Sequence, residues 1–309
     1  MNKDNEKSKK QRLFLIIGII VLIVILLFSL SMCGRDNPGT NEDPLVFEDP
    51  VFQQAIATSL GKESSASIYA KDLNEISTLR IIANKVLMYK KGVEQDKVVW
   101  FFGEHVEIND VKFEGVGTMS SLADLKHFPA LEQLTVAFQK NIDFTTIEHV
   151  SNVNNFYLYA NDLKTLDFVK KSNNLFTLHV NHHQLENIDA LNTSSKLRYL
   201  TVASGTLKNI EGIANCIDMK RLDFSVNQLT DISSLEKLVN IEDLYLRENN
   251  ISDISVLTNL EKLSFIGLGQ NNVSDVSPLA ALDGLTRIML AGNPVTNMEM
   301  IDKYKNIIE

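Results

Sequence analysis

The sequence predicts an α/β repeat solenoid: coils of 22 residues, each giving one short strand to a parallel sheet on a concave face and returning along a convex side through 3-10 or irregular turns. Three observations predict it. Apolar residues recur every 22 residues from Leu125 to Met300 without a gap, one pair in each row is spaced by two, and asparagine recurs at a fixed place after that pair.

Composition agrees with one elongated repeat domain behind a targeting segment. A 44% hydrophobic chain of 309 residues can fill a continuous core, and 14 Gly and 6 Pro are too few for a collagenous or linker-dominated chain. The formal charge is −9, and the basic first twelve residues leave −12 for everything after them. That acidity argues against nucleic acid as a partner.

Taken in chain order, residues 1–12 hold Lys3, Lys7, Lys9, Lys10 and Arg12, a basic segment expected to stay in the cytoplasm. Residues 13–33, LFLIIGIIVLIVILLFSLSMC, carry no charge. About 20 residues span a bilayer core as a helix, so this run is either an uncleaved transmembrane helix or a lipoprotein signal. LSMCG around Cys33 resembles a bacterial lipoprotein processing site, with Cys33 as the lipidated residue; Met32 departs from the small residue preferred before it. Either anchor places the folded part outside the membrane and tethered to it. Cys216 falls at an apolar repeat place and reads as a small buried hydrophobe.

Residues 34–46 are polar, with Pro and Gly and no periodicity, as in a flexible stalk. Residues 47–124 are expected to hold an N-terminal cap and irregular first coils. Asp49-Pro50 supplies an N-cap and a first-turn proline, and Phe52, Ile56 and Leu60 then recur every four residues, which makes a short amphipathic helix able to cover a solenoid end. Residues 68–80 read as a second short helix turning into a strand. In VLMYKKGVEQDKVVWFFG, two apolar runs flank a polar turn, which suggests a β-hairpin or an irregular first coil, with Trp100 as a buried cap residue or, alternatively, an exposed contact.

Rows of the array at 125–300 begin at Leu125, Ile147, Val169, Leu191, Ile213, Leu235, Leu257 and Leu279, with apolar residues at places 1, 4, 7, 10, 12, 17 and 20. The pair at places 10 and 12 has strand spacing, so both side chains point to one face. Equal rows stack those strands in parallel, and the residues left over are too few for a long helix. Place 15 holds Asn161, Asn227, Asn249, Asn271 and Asn293, whose amides can both donate to and accept from turn backbone. Gln139, His183 and Gly205 break that series, so their turns are expected to be less regular. Asn187, Asn209, Asp231, Asp253, Asp275 and Asn297 at place 19 are positioned to cap the following turn. Residues 301–309 close the array, with Met298, Ile301 and Tyr304 expected on the inner side of a short helix.

NNISDISVLTNLEKLSFIGLGQNNVSDVSPLAAL resembles the leucine-rich repeats of internalin-type surface proteins of Gram-positive bacteria, and VFEDPVFQQAIATSLGK resembles the cap that precedes such arrays. The resemblance implies a curved solenoid displayed at the cell surface that recognises another macromolecule. Neither an immunoglobulin-like segment nor a cell-wall sorting motif is legible before Glu309.

Solvent-facing strand places 9, 11 and 13 are the candidate binding surface, because parallel strands join them into one face. Aromatic and arginine residues favour interface centres, which selects Tyr157, Tyr159, His179, Tyr199, Arg221, Tyr245, Arg247 and Phe265 as ligand-binding residues for a protein partner. Aromatics also suit half-exposed strands for their β propensity alone. No metal or cofactor is expected: His179, His182 and His183 cluster in sequence, but His183 occupies the inward asparagine place while His179 faces out. No nucleophile, phosphate-loop or metalloprotease motif is present, so the chain is not expected to be an enzyme, with residues 81–120 the one stretch where a site could hide. A membrane-anchored extracytoplasmic recognition protein is the leading expectation, and an envelope-organising component binding a partner of the same cell is the alternative.

Overall fold

The computed structural model describes residues 43–93, 98–102, 105–108, 111–147 and 150–309. The expectations for 1–12, 13–33 with Cys33, and nearly all of 34–46 lie outside them, as does the side chain of Trp100. Among the described residues no helix is long and apolar enough to cross a membrane.

Helices α1 (Pro50–Ser59) and α2 (Ala70–Leu73) precede β1 (Ile76–Ile82) and β2 (Lys85–Lys90). A separate antiparallel sheet follows, β3 (Val98–Phe102), β4 (His105–Ile108) and β5 (Val111–Glu114). Eight further strands complete the array: β6 (Gln133–Ala137), β7 (Asn155–Tyr159), β8 (Thr177–Asn181), β9 (Tyr199–Ala203), β10 (Arg221–Asp223), β11 (Asp243–Tyr245), β12 (Phe265–Gly267) and β13 (Arg287–Met289). The main sheet runs β13 through β6 in consecutive order, then β1 and β2. Its pairs are parallel except β1 with β2. Place 10 stays in line across it, as in Leu200↔Leu222, Leu222↔Leu244 and Leu244↔Ile266. The side chains at places 10 and 12 are buried in one continuous core, as the period-2 spacing requires. Short 3-10 segments occupy the return side, among them Asp189–Thr193, Ser233–Leu235 and Ser277–Ala281. Place 19 caps them as expected: Asp231, Asp253 and Asp275 accept from the backbone N–H of Ser233, Ser255 and Ser277, each at 2.8 Å.

The turn out of each strand uses a residue that sequence does not flag. Place 14 is left-handed in every row: Phe138, Ala160, His182, Ser204, Val226, Glu248 and Gln270 have φ between 51° and 60°, and Gly292 has 82°. The N–H groups of the seven non-glycine residues still complete the ladder, as Val226 does to Arg247 O at 2.7 Å, and the chain then reverses. The reversal turns place 15 inward. There Asn249 accepts from Leu229 N at 3.0 Å and donates to Phe224 O and Leu246 O at 2.9 and 3.0 Å; Asn227 and Asn271 repeat the pattern. Each asparagine thus ties its own strand end to the preceding row. Leaving one such buried peptide group unpaired would cost roughly 1–3 kcal/mol.

The three exceptions at place 15 are compensated in two pairs, Gln139 with Gly117 and His183 with Gly205. Gln139 reaches across to Ala83 O, and a Cβ on Gly117 would meet its amide at 2.1 Å. His183 accepts from Leu185 N at 3.0 Å through Nδ1, and a Cβ on Gly205 would meet its ring at 2.2 Å. A larger side chain at place 15 is therefore accommodated by a glycine brought against it from an adjacent coil. Backbone at these turns stays as regular as in the other rows, since Phe138, His182 and Ser204 hold the same left-handed φ.

β1 belongs to a first coil that the sequence reading does not separate. Leu73, Ile76, Leu79 and Ile81 fill its core places, Ala83 has φ of 50°, and Asn84 follows where an asparagine belongs. The coil then opens at residues 85–117 and resumes with Met119 and Leu122, both fully buried. Asn84 and Thr118 close the base of this excursion, Thr118 N donating to Asn84 Oδ1 at 2.7 Å and Asn84 Nδ2 to Thr118 Oγ1 at 3.0 Å. The hairpin expected within VLMYKKGVEQDKVVWFFG is not formed. VLMY lies in β2 and pairs back with β1, while VVWFF is β3 and pairs with β4, because β2 continues the sheet whose edge β1 would otherwise leave open.

α1 buries Phe52, Ala55 and Ile56 in the main core. Asp49 caps it, accepting from Val51 N and Phe52 N, while its second oxygen accepts from Ser120 N at 2.7 Å. Burial raises the pKa of Asp49, but the hydrogen bonds from Ser120 and Phe52 outweigh it and the net direction is down. Fully buried Asp124 accepts from Glu48 N and Asp49 N, which fixes the helix entry to the first full row. At the other end Met298–Tyr304 is 3-10, with Ile301 and Tyr304 buried. Met298 is 41% exposed, contrary to its expected inward position, because the chain must turn outward before residues 307–309 pair alongside β13.

Candidate binding face

Side chains at places 9, 11 and 13 leave the sheet opposite the core, but they are not equally accessible. Near β1 the face is crowded. Arg80 and Thr135 are buried, and the Arg80 guanidinium lies 5.1 Å from the centre of the Tyr89 ring. Tyr157 and His179, from adjacent strands, stack with ring centres 5.1 Å apart and planes 14° from parallel. Tyr159 packs against a cluster of Ile82, Phe113, Ala137 and Phe138, in which β5 of the excursion contributes Phe113. Burial raises the pKa of both tyrosines. It also pushes His179 down to about 4, helped by Arg221 and opposed by Asp223.

Toward β13 the face opens and changes character. Tyr199 is 40% exposed and meets Phe176 edge-on at 5.5 Å. Arg221 sits 4.7 Å over Tyr245, whose ring centre is 4.4 Å from that of Phe265, and Arg287 lies 5.8 Å from Phe265. Arg287 is held in turn by a two-pronged contact with Glu309 at 3.0 and 2.7 Å. Strand register explains the chain of contacts: Arg221 aligns with Asp243, Asp243 with Phe265, and Phe265 with Arg287. Cation over ring and ring on ring are each worth about 0.5–1.5 kcal/mol, enough to hold these side chains in one arrangement.

Of the eight residues selected from sequence, Arg221, Tyr245 and Phe265 form one connected strip and Arg247 stands exposed beside it. Tyr157, Tyr159 and His179 form a second, half-buried group, and Tyr199 joins Phe176 instead. Sequence reasoning put Arg287 at place 9 of this face without selecting it, and missed Phe176 with Arg198, whose guanidinium lies 5.6 Å from the Phe176 ring. The signal was present: Phe176 is a large apolar residue at a place where the core needs none. It placed Gly267 and Gly269 on this face without weighing that they remove two side chains from one row of it. The three clustered histidines do not converge, since His179 faces outward, His182 occupies the left-handed turn and His183 lies in the asparagine series. Among the described residues no group of three His, Cys, Asp or Glu is placed to hold a metal ion. The Cys216 thiol is buried and pushed up to about 11 by that burial, which leaves it unreactive.

Residues 217–259 match a family model described as Leucine Rich repeats (2 copies). No curated protein is detectably similar in sequence. The fold is similar to that of an internalin C2 from Listeria monocytogenes str. 4b F2365, with 19% identity, 88% of this chain and 99% of that chain covered, and a TM-score of 0.56. It is also similar to an internalin (inlF) of the same organism, with 19% identity, 88% and 98% covered, and a TM-score of 0.52. The α/β solenoid expected from the 22-residue rows is therefore the observed fold, a leucine-rich-repeat fold similar to that of the internalin structures.

Proposed function

We propose that the protein recognises a protein partner through the open face of its sheet and does so outside the cell membrane, tethered through residues 13–33. The connected strip Arg221, Tyr245, Phe265 and Arg287 carries this reading, because large rings and guanidinium groups preset on a half-exposed face are what interface centres use. Tyr199 and Arg247 extend the contact surface. Tyr157, Tyr159 and His179 make the firm border against which it is set. The anchoring part rests on the apolar run and the basic residues before it. A surface role is further supported by the likeness in fold to internalins, and a leucine-rich-repeat scaffold needs no catalytic group to work this way.

The test is affinity of the full-length chain, displayed on intact cells, for a partner found by proximity labelling on those cells. Replacing Tyr199, Arg221 and Phe265 with Ser is expected to weaken binding by at least 100-fold, since interface anchors of this kind lose about tenfold or more each. Replacing Asp231, Val239 and Asp253 on the return side is expected to leave it unchanged. Equal effects of the two triple variants would overturn the proposal.

A further inference from the structure

Most charges on and beside the open face between β9 and β13 already have a counter-ion. Arg247 pairs with Glu248 and Arg287 with Glu309, each at 2.7 Å, Lys220 pairs with Glu242, and Arg198 lies 3.8 Å from Asp218. Two carboxylates stand outside these neutral pairs: Asp223 at place 11 of β10 and Asp243 at place 9 of β11, both half-buried. Asp223 accepts from Ser225 N of its own chain stretch at 3.0 Å through Oδ1. Among the described residues no hydrogen bond or ion pair engages its other oxygen, or either oxygen of Asp243.

Strand register gathers them into one block. Arg221 aligns with Asp243 and Asp223 with Tyr245, so the two acids lie on one diagonal of four side chains, and Arg221 and Tyr245 on the other. Arg221 is drawn over the Tyr245 ring at 4.7 Å and forms an ion pair with neither acid among the described residues. Its single charge leaves the block one negative. A carboxylate held half out of water without a counter-ion carries a cost that an incoming cation removes. An incoming anion would find one guanidinium between two acids, in a chain whose formal charge of −9 already repels it.

The neighbouring rings narrow the cation. Phe265 aligns with Asp243 on its other side, and its ring centre is 4.4 Å from that of Tyr245. A guanidinium suits acids on adjacent strands beside rings better than an ammonium does, because its forked donors reach two carboxylates and its flat face stacks on an aromatic. We propose that Asp243 and Asp223 seat an arginine side chain of the partner beside the Tyr245 and Phe265 rings. The proposal rests on the reading that the open face binds a protein, and it names the residue the partner presents.

The full-length chain, held in detergent with 4-fluorophenylalanine in place of phenylalanine, supplies the readout, with the Phe265 fluorine signal identified by Phe265→Leu. The acetylated, amidated tripeptide glycyl-arginyl-glycine is expected to move that signal saturably. Its citrulline analogue keeps the shape without the charge and is expected to bind at least tenfold more weakly, and the lysine analogue at least threefold more weakly. Asp243→Asn should weaken the arginine peptide at least fivefold and Asp223→Asn at least threefold. Thermal unfolding should be unchanged in both, since asparagine still accepts from Ser225 N and Asp243 has no bond to lose. Glu236→Gln and Glu261→Gln remove the same charge from exposed positions away from the face and should leave the affinity unchanged. Equal binding of the citrulline or lysine peptide, no saturable shift, or an equal loss in the two control variants would overturn the proposal. These outcomes are separate from those for the face. Loss of the peptide response while capture on cells still depends on Tyr199 and Phe265 removes the arginine seat alone, and the converse removes the face alone.

Discussion

His183 stands where five other rows carry asparagine, and it makes the fold sensitive to acid. Burial pushes its pKa down to about 4, so it is neutral in the folded chain, whereas in the unfolded chain it takes up a proton near 6.5. Between those values the unfolded state binds more protons. Stability is therefore full above about pH 6.5 and declines as pH falls toward 4. His179 adds to the same decline, its pKa lowered by burial and then by Arg221. We expect the wild-type chain to be roughly 2 kcal/mol less stable per buried imidazole at pH 5 than at pH 7. His183→Asn should remove about half of that difference in urea unfolding at the two pH values; an unchanged difference would show that His183 does not titrate this way. Sequence placed His183 correctly in the asparagine series. It did not reveal that Gly205 is its partner, because the two lie in different rows and only stacking brings them together.

At the scale of elements, a row is legible wherever its spacing is unbroken. Places 10, 12 and 15 can be read directly from Leu244, Leu246 and Asn249, since core and spine need particular side chains there. Place 14 cannot, because the left-handed turn is enforced by the ladder on both sides and accepts Phe138, Ser204, Val226 and Glu248 alike. The first coil was expected only as irregular, for a different reason: the excursion at 85–117 separates Asn84 from Met119, so the period is broken although the coil is not. Its three-stranded sheet touches the main body through Phe113 against Ile82, Ala137 and Phe138. Replacing residues 93–114 with a short Gly/Ser linker, which keeps β2 in the sheet, should therefore cost only the burial of about one aromatic side chain, roughly 2–3 kcal/mol. Urea unfolding of that variant should remain a single cooperative transition. Loss of cooperativity would mean that the excursion organises the array rather than decorating it.

At the scale of the molecule, repetition and function occupy opposite demands. The return side and the core repeat because every row must stack on the next, and their residues can be read from the period. The open face is free to vary, and alternation tells which residues lie on it but not which of them neighbours cover. Thus Tyr159 and Tyr245 hold places of the same kind in sequence, yet one is packed beneath the excursion and the other joins an accessible strip with Arg221 and Phe265. The central claim is that recognition belongs to this strip. A photo-crosslinking amino acid placed singly at Tyr199, Arg221 or Phe265, and in control chains at Asp231, Val239 or Asp253, tests it on intact cells. The account predicts one common crosslinked protein from the three face positions and none of it from the three return-side positions; the same protein crosslinked from the return side, with the face silent, would contradict it.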